Sequence, residues 1–196
     1  MCTIHPDFDS YGMLCSIYWA SDQKLLFMFN FIQNVTLLPF AYSHAICTYL
    51  AGRYCDSGRF LPKDPGGRSI MDQYLHYNSS IIYPRYRAAA YPILYENCNF
   101  VMPDQVVKIE SAYGDLENML AERSWFGGSW ANLSDIAFAS TISTLNIMVP
   151  VDKNKFPRLS DWLYRVSEEL FFITANRKGL SEFSRRIGEL ALVEKS

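Results

Sequence analysis

The chain has 196 residues, which fits one large domain or two small ones with a core that needs no disulfide staple. Eighteen Lys and Arg stand against 20 Asp and Glu, and the resulting charge of −2 lacks the positive excess of a nucleic-acid binder. Hydrophobic residues at 49% and charged residues at 19% exclude wholesale disorder, and an aromatic share of 15% supplies flat side chains for a core or an apolar pocket.

The opening residues 1–12 show neither the basic nor the apolar region of a secretory signal. The most apolar stretch, Leu25 to Ala41, holds Asn30, Gln33, Asn34, Thr36 and Pro39, and makes a poor membrane span. Cys2, Cys15, Cys47, Cys55 and Cys98 form no C-x-x-C pair, and His5, His44 and His76 lie at no ligand spacing. A reduced, cytoplasmic protein without metal or membrane span is expected.

A short helix is expected from Ser43 to Tyr54, with Ala45, Ile46, Tyr49 and Leu50 at helical spacing and Ser43 as its cap. Asp56-Ser57-Gly58 ends it, and Phe60 to Gly67 has the prolines and glycines of a linker. Ile70, Tyr74, Tyr77 and Ile81 then form one stripe of a long helix reaching about Glu96. Pro84 and Pro92 fall inside that run and predict kinks.

Pro103 and Asp104 open a helix carrying Val106, Ile109, Tyr113, Leu116 and Leu120. Phe126 to Trp130 reads as a turn. Asn132-Leu133-Ser134-Asp135 reads as a capping box, structural in both its polar ends, before an all-round apolar helix from Ile136 to Val149. Phe156-Pro157-Arg158-Leu159 starts a helix through Trp162 and Val166, and a last helix carries Leu180, Phe183, Ile187 and Leu190. Residues 66–190 therefore read as an all-helical domain, preceded by an N-terminal part over 1–58.

The order of these segments resembles the cytosolic glutathione S-transferases of the insect delta and epsilon classes, nearer epsilon. The residues that carry the resemblance are Ser43-His44-Ala45-Ile46, Leu61-Pro62-Lys63-Asp64-Pro65, Asp72-Gln73, Leu75-His76-Tyr77 and Tyr83-Pro84-Arg85. Further matches are Asn132-Leu133-Ser134-Asp135, Thr141 to Leu145, Phe156-Pro157-Arg158-Leu159 and Ala175 to Gly179. The match runs from about 41 to 188. It implies an α+β, mostly α fold with a thioredoxin-like first part over 1–58, here incomplete or divergent, because such a unit needs roughly 80 residues and only 55 precede Asp56. Residues 1–40 contain no counterpart of the family's Ser-Pro-Pro or Tyr segment and none of its Val-Pro pair, so the catalytic hydroxyl is unassigned.

The resemblance implies that Ser43 holds the γ-glutamyl carboxylate of glutathione, a role that suits a helix N-terminus, with His44 beside it. Tyr42 stands where the family usually has an acid. Tyr83, Arg87, Tyr91 and Tyr95 recur every four residues and so share one helix face; in epsilon enzymes the matching face lines the pocket for the hydrophobic substrate. The implied activity is conjugation of glutathione, as co-substrate without any cofactor, to hydrophobic electrophiles by a homodimer. The alternative is a catalytically impaired relative that serves as a non-enzymatic binding or dimerisation module.

Overall fold

The computed structural model describes residues 43–55 and 58–192. The expectations placed on residues 1–42, including the thioredoxin-like strands and the cysteines Cys2 and Cys15, lie outside the described residues. Among those described there are seven α-helices: α1 Ser43–Tyr54, α2 Pro65–Tyr77, α3 Tyr83–Tyr95, α4 Pro103–Met119, α5 Leu133–Met148, α6 Pro157–Glu168 and α7 Arg177–Leu192. Two π-helical turns join them, Asn78–Ile82 between α2 and α3 and Phe172–Asn176 before α7.

The linker expectation is corrected at its end. Pro65-Gly66-Gly67 forms the first turn of α2, because the Asp64 carboxylate accepts the Gly67 N–H at 2.7 Å and Pro65 sits where no N–H is required. The long helix expected from Ile70 to Glu96 is also divided. Proline cannot donate to the carbonyl four residues back, and its ring crowds that carbonyl. The chain answers with the π turn just before Pro84, in which the Tyr83 N–H reaches back five residues to the Asn78 carbonyl. Pro92 is accommodated inside α3, and its carbonyl accepts from both Glu96 and Cys98 at the helix end.

Helix α5 is the centre. Every residue from Leu133 to Ser143 is buried, as its all-round apolar sequence requires. Its hydroxyls are buried without loss because they bond backward along the helix: Ser140 donates to the Ala137 carbonyl at 3.0 Å and Thr144 to the Ser140 carbonyl at 2.8 Å. One side of α5 packs with Tyr74, Ile82, Ile109, Tyr113, Phe126 and Trp162 in the main core. The other side, through Leu133, Ile136 and Ala137, meets Cys47, Leu50 and Ala51 of α1 and Met71 and Leu75 of α2. Through this second cluster α1 is packed onto the helical body.

The Asn132–Asp135 capping box forms as expected. Asp135 does more than cap. Its carboxylate also accepts the backbone N–H of Phe126 and of Gly127, each at 2.9 Å, and the Trp162 indole N–H at 2.9 Å. It therefore ties the turn before α5, α5 itself and α6 together at one buried point. Burial pushes its carboxyl above the usual carboxylate range, against the four hydrogen bonds that favour its ionised form.

Candidate functional site

Ser43 is the first residue of α1; its side chain, like Tyr42, lies outside the described part. His44 follows in the first turn, half-buried, with Nε2 3.5 Å from Nδ2 of Asn78. The imidazole also hydrogen-bonds to the Leu75 carbonyl, while burial and the neighbouring His76 hold its pKa below the ordinary histidine value. The ring is thus set against α2 and the π turn.

Asn78 is the residue that sequence reasoning passed over. It is 1% exposed, and its Nδ2 donates to the Ala137 carbonyl of α5 at 3.3 Å. Its Oδ1 is buried without a hydrogen-bond partner among the described residues. The only signal in the sequence was an amide in an otherwise apolar helical stripe.

The π turn that Asn78 opens leads directly into the second group of candidate residues. On α3, Tyr83 is half-buried, whereas Arg87, Tyr91 and Tyr95 are exposed, as the spacing of four places them. The Tyr91 and Tyr95 rings pack at a centroid distance of 5.0 Å, tilted by 41°. Tyr83 packs beside Tyr86 at 5.8 Å, and Tyr86 reaches Phe183 of α7 at 6.3 Å. Tyr86 and Phe183 were not singled out by the spacing of four. The i, i+3 relation of Tyr83 to Tyr86 marks the first, but only the packing of α7 on α3 reveals the second. Tyr83, Tyr86 and Phe183 thus form one run of aromatic contacts between α3 and α7, and Tyr91 and Tyr95 a separate pair further along α3.

Beside this face, the Tyr77 hydroxyl donates to Asp115 of α4 at 2.6 Å, and burial together with that bond raises the pKa of the phenol. Arg85 donates to the Lys108 carbonyl at 2.6 Å. Both contacts fasten α2 and α3 to α4. Cys47 is buried, and Cys55 and Cys98 are partly buried, none of them in a disulfide among the described residues. Among the described residues no three His, Cys, Asp or Glu side chains gather at a point that suits a metal, and no helix is long and apolar enough to cross a membrane.

No family model matches the chain. It is 36% identical over 127 residues to glutathione S-transferase 1 of Manduca sexta, covering 64% of this chain and 58% of that protein. It is 28% identical over 128 residues to glutathione S-transferase D7 of Anopheles gambiae, covering 65% of this chain and again 58% of that protein. The chain thus spans somewhat under three fifths of these relatives' length.

Among solved structures, glutathione S-transferase isozyme E7 of Drosophila melanogaster superposes with a TM-score of 0.73 at 29% identity, over 78% of this chain and 69% of that one. The epsilon-class enzyme of the housefly, Musca domestica, gives 0.73 at 25% identity, over 77% and 70%. A glutathione transferase homologue of Drosophila mojavensis with bound glutathione gives 0.72 at 28% identity, over 76% and 68%. In sequence and in fold the chain is similar to insect delta- and epsilon-class glutathione S-transferases.

Proposed function

We propose that the chain binds glutathione and conjugates it to hydrophobic electrophiles. The observation that carries this reading is the likeness to a homologue whose structure holds glutathione, at 28% identity and a TM-score of 0.72. Ser43, at the start of α1, is assigned to the γ-glutamyl carboxylate, because the unpaired N–H groups and positive dipole end of a helix favour an anion there. His44 lies next to it. The electrophile is assigned to the face of Tyr83, Arg87, Tyr91 and Tyr95. In the reaction the glutathione sulfur, as thiolate, attacks the electrophilic carbon and the leaving group departs with the bonding electrons. A hydroxyl that donates to the sulfur favours the thiolate; none of the described residues is assigned that role. Glutathione is co-substrate, with no metal and no other cofactor, and the chain acts as a cytoplasmic homodimer.

The test is retention on immobilised glutathione with elution by free glutathione, paired with conjugation of a reactive aryl halide. Retention and turnover that both fall on Ser43→Ala are expected. Retention without turnover assigns the chain to the alternative, a non-enzymatic binding module. Absence of retention overturns the glutathione reading.

A further inference from the structure

We propose that His44 and Asn78 form a pH-responsive latch that fixes the first turn of α1 to the π turn and weakens glutathione binding when it is protonated. The latch itself rests on geometry; its effect on glutathione rests on the function proposed above.

A carboxamide nitrogen carries two hydrogens. One hydrogen of Asn78 Nδ2 is taken by the Ala137 carbonyl at 3.3 Å, and the nitrogen faces His44 Nε2 at 3.5 Å. For that approach to be attractive, Nε2 must present its lone pair. The ring is then neutral, with its proton on the other nitrogen, in keeping with its hydrogen bond to the Leu75 carbonyl. The carboxamide cannot be reversed in this state, because Oδ1 would then meet the Ala137 carbonyl oxygen. The cost of this arrangement is visible: Oδ1 is left buried and, among the described residues, unpartnered in a residue that is 1% exposed.

Protonation by one proton from solvent reverses the chemistry of Nε2. A donor then faces a donor. Rotation of the carboxamide by half a turn does not relieve this, because Oδ1 would still meet the Ala137 carbonyl oxygen, which already accepts the Ser140 hydroxyl at 3.0 Å and the Thr141 hydroxyl at 3.4 Å. The pair therefore has one hydrogen-bonded state, with the ring neutral, and its loss on protonation changes how the start of α1 is held to α2 and α5.

Among the described residues few other charges bear on it. On α2 the acting group is His76, which opposes a second positive charge, while Arg68 and Asp72 pair with each other. The π turn, Asn78–Ile82, carries no ionisable side chain. Asp135, the sole ionisable side chain of α5, is engaged by Phe126, Gly127, Asn132 and Trp162. On α1 itself Arg53 stands in the last turn, at the opposite end.

The experiment is long-range nitrogen–proton NMR of the full chain with 15N-labelled histidine, followed through a pH titration. An unprotonated Nε2 on His44 at neutral pH is expected, with a midpoint below about 6.5. In Asn78→Asp a carboxylate replaces the donor, and the midpoint rises by about 1–3 pH units. A protonated Nε2 in the neutral ring, or a midpoint that Asn78→Asp leaves in place, overturns the latch. If Asn78→Asp does not fold, the tautomer in the unaltered chain decides.

A second arm measures glutathione affinity by calorimetry on either side of the free imidazole pKa, at about pH 7.5 and about pH 5.5. Weaker binding at the lower pH, with the ratio flattened in His44→Gln, supports the coupling. Equal affinity at both pH values overturns it. Absence of binding at either pH overturns the glutathione reading, while the NMR result still decides the latch.

Discussion

The Glu117 carboxylate, in the last turn of α4, accepts the backbone N–H of Leu159 at 2.8 Å and of Arg158 at 3.1 Å, and so caps α6 from another helix. The residue before α6, Phe156, offers no side-chain cap of its own, and Pro157 has no N–H to satisfy. A buried acid is thus placed where two helix N–H groups and the positive dipole end converge. The Arg158 guanidinium, 3.5 Å away, adds a mostly exposed charge that contributes little. Glu117→Ala should lower stability by about 1.5–3 kcal/mol, the range for hydrogen bonds to a charged group. Urea denaturation measures the loss, and hydrogen exchange at Leu159 should quicken; unchanged exchange at that amide would show that α6 does not depend on this cap.

Asp135 carries a larger share. A simple cap is worth about 0.5–2 kcal/mol, but four donors, one of them the Trp162 indole, lose their acceptor in Asp135→Ala. The expected loss is about 3 kcal/mol or more, since each buried donor left without a partner costs about 1–3 kcal/mol and the protein relaxes around some of them. Trp162 is fully buried, so near-ultraviolet circular dichroism reports its environment directly. A loss confined to the range of an ordinary cap would mean that the links to Phe126, Gly127 and Trp162 are energetically idle.

Gly127 is required by space. A Cβ there would collide with the Trp130 carbonyl oxygen and sit 2.9 Å from Cγ of Asn132, the residue that caps α5. Gly127→Ala should therefore destabilise by about 1–3 kcal/mol, the usual effect of forcing a methyl group into a filled site. The neighbouring Gly128 has φ of 100°, which side chains rarely adopt, so Gly128→Ala should also destabilise, with nothing nearby to clash. Thermal unfolding of both variants separates the steric effect from the conformational one.

The buried imidazole makes stability depend on pH. The His44 pKa in the folded chain lies below its unfolded value of about 6.5. The unfolded chain then binds more protons between those two values, so stability is fully present above about 6.5 and falls as pH drops through the folded pKa. The stability difference between about pH 7.5 and about pH 5.5 should shrink in His44→Gln. An identical difference in both proteins would show that His44 titrates alike in the folded and unfolded chain.

On α3, Tyr91 is 46% exposed, so Tyr91→Ala should change stability by no more than about 0.5 kcal/mol. Under the proposed function it should raise KM for an aryl electrophile and leave KM for glutathione in place. Equal KM values for the electrophile would remove Tyr91 from the pocket.

Local chemistry by itself determined much of this protein. The starts at Pro103 and Pro157 follow from proline at a first helical position, the start of α5 from the Asn132 capping box, and its apolar run from burial on all sides, which are read within a few residues along the chain. The spacing of four likewise determined that Tyr91 and Tyr95 share a face, and their rings do pack together. What lay beyond that reach was decided by tertiary structure. The π turn at Asn78 arises where Pro84 must be fitted into a helix already held on both sides by α2 and α4. Glu117 has no partner within its own helix, and it meets α6 only because α4 and α6 lie side by side in the folded chain. Asn78 looks like a misplaced amide until α5 brings the Ala137 carbonyl to one side of it and α1 brings His44 to the other. Hydrogen bonds between residues 34, 42 or 59 positions apart leave no periodic trace, because their partners are chosen by packing.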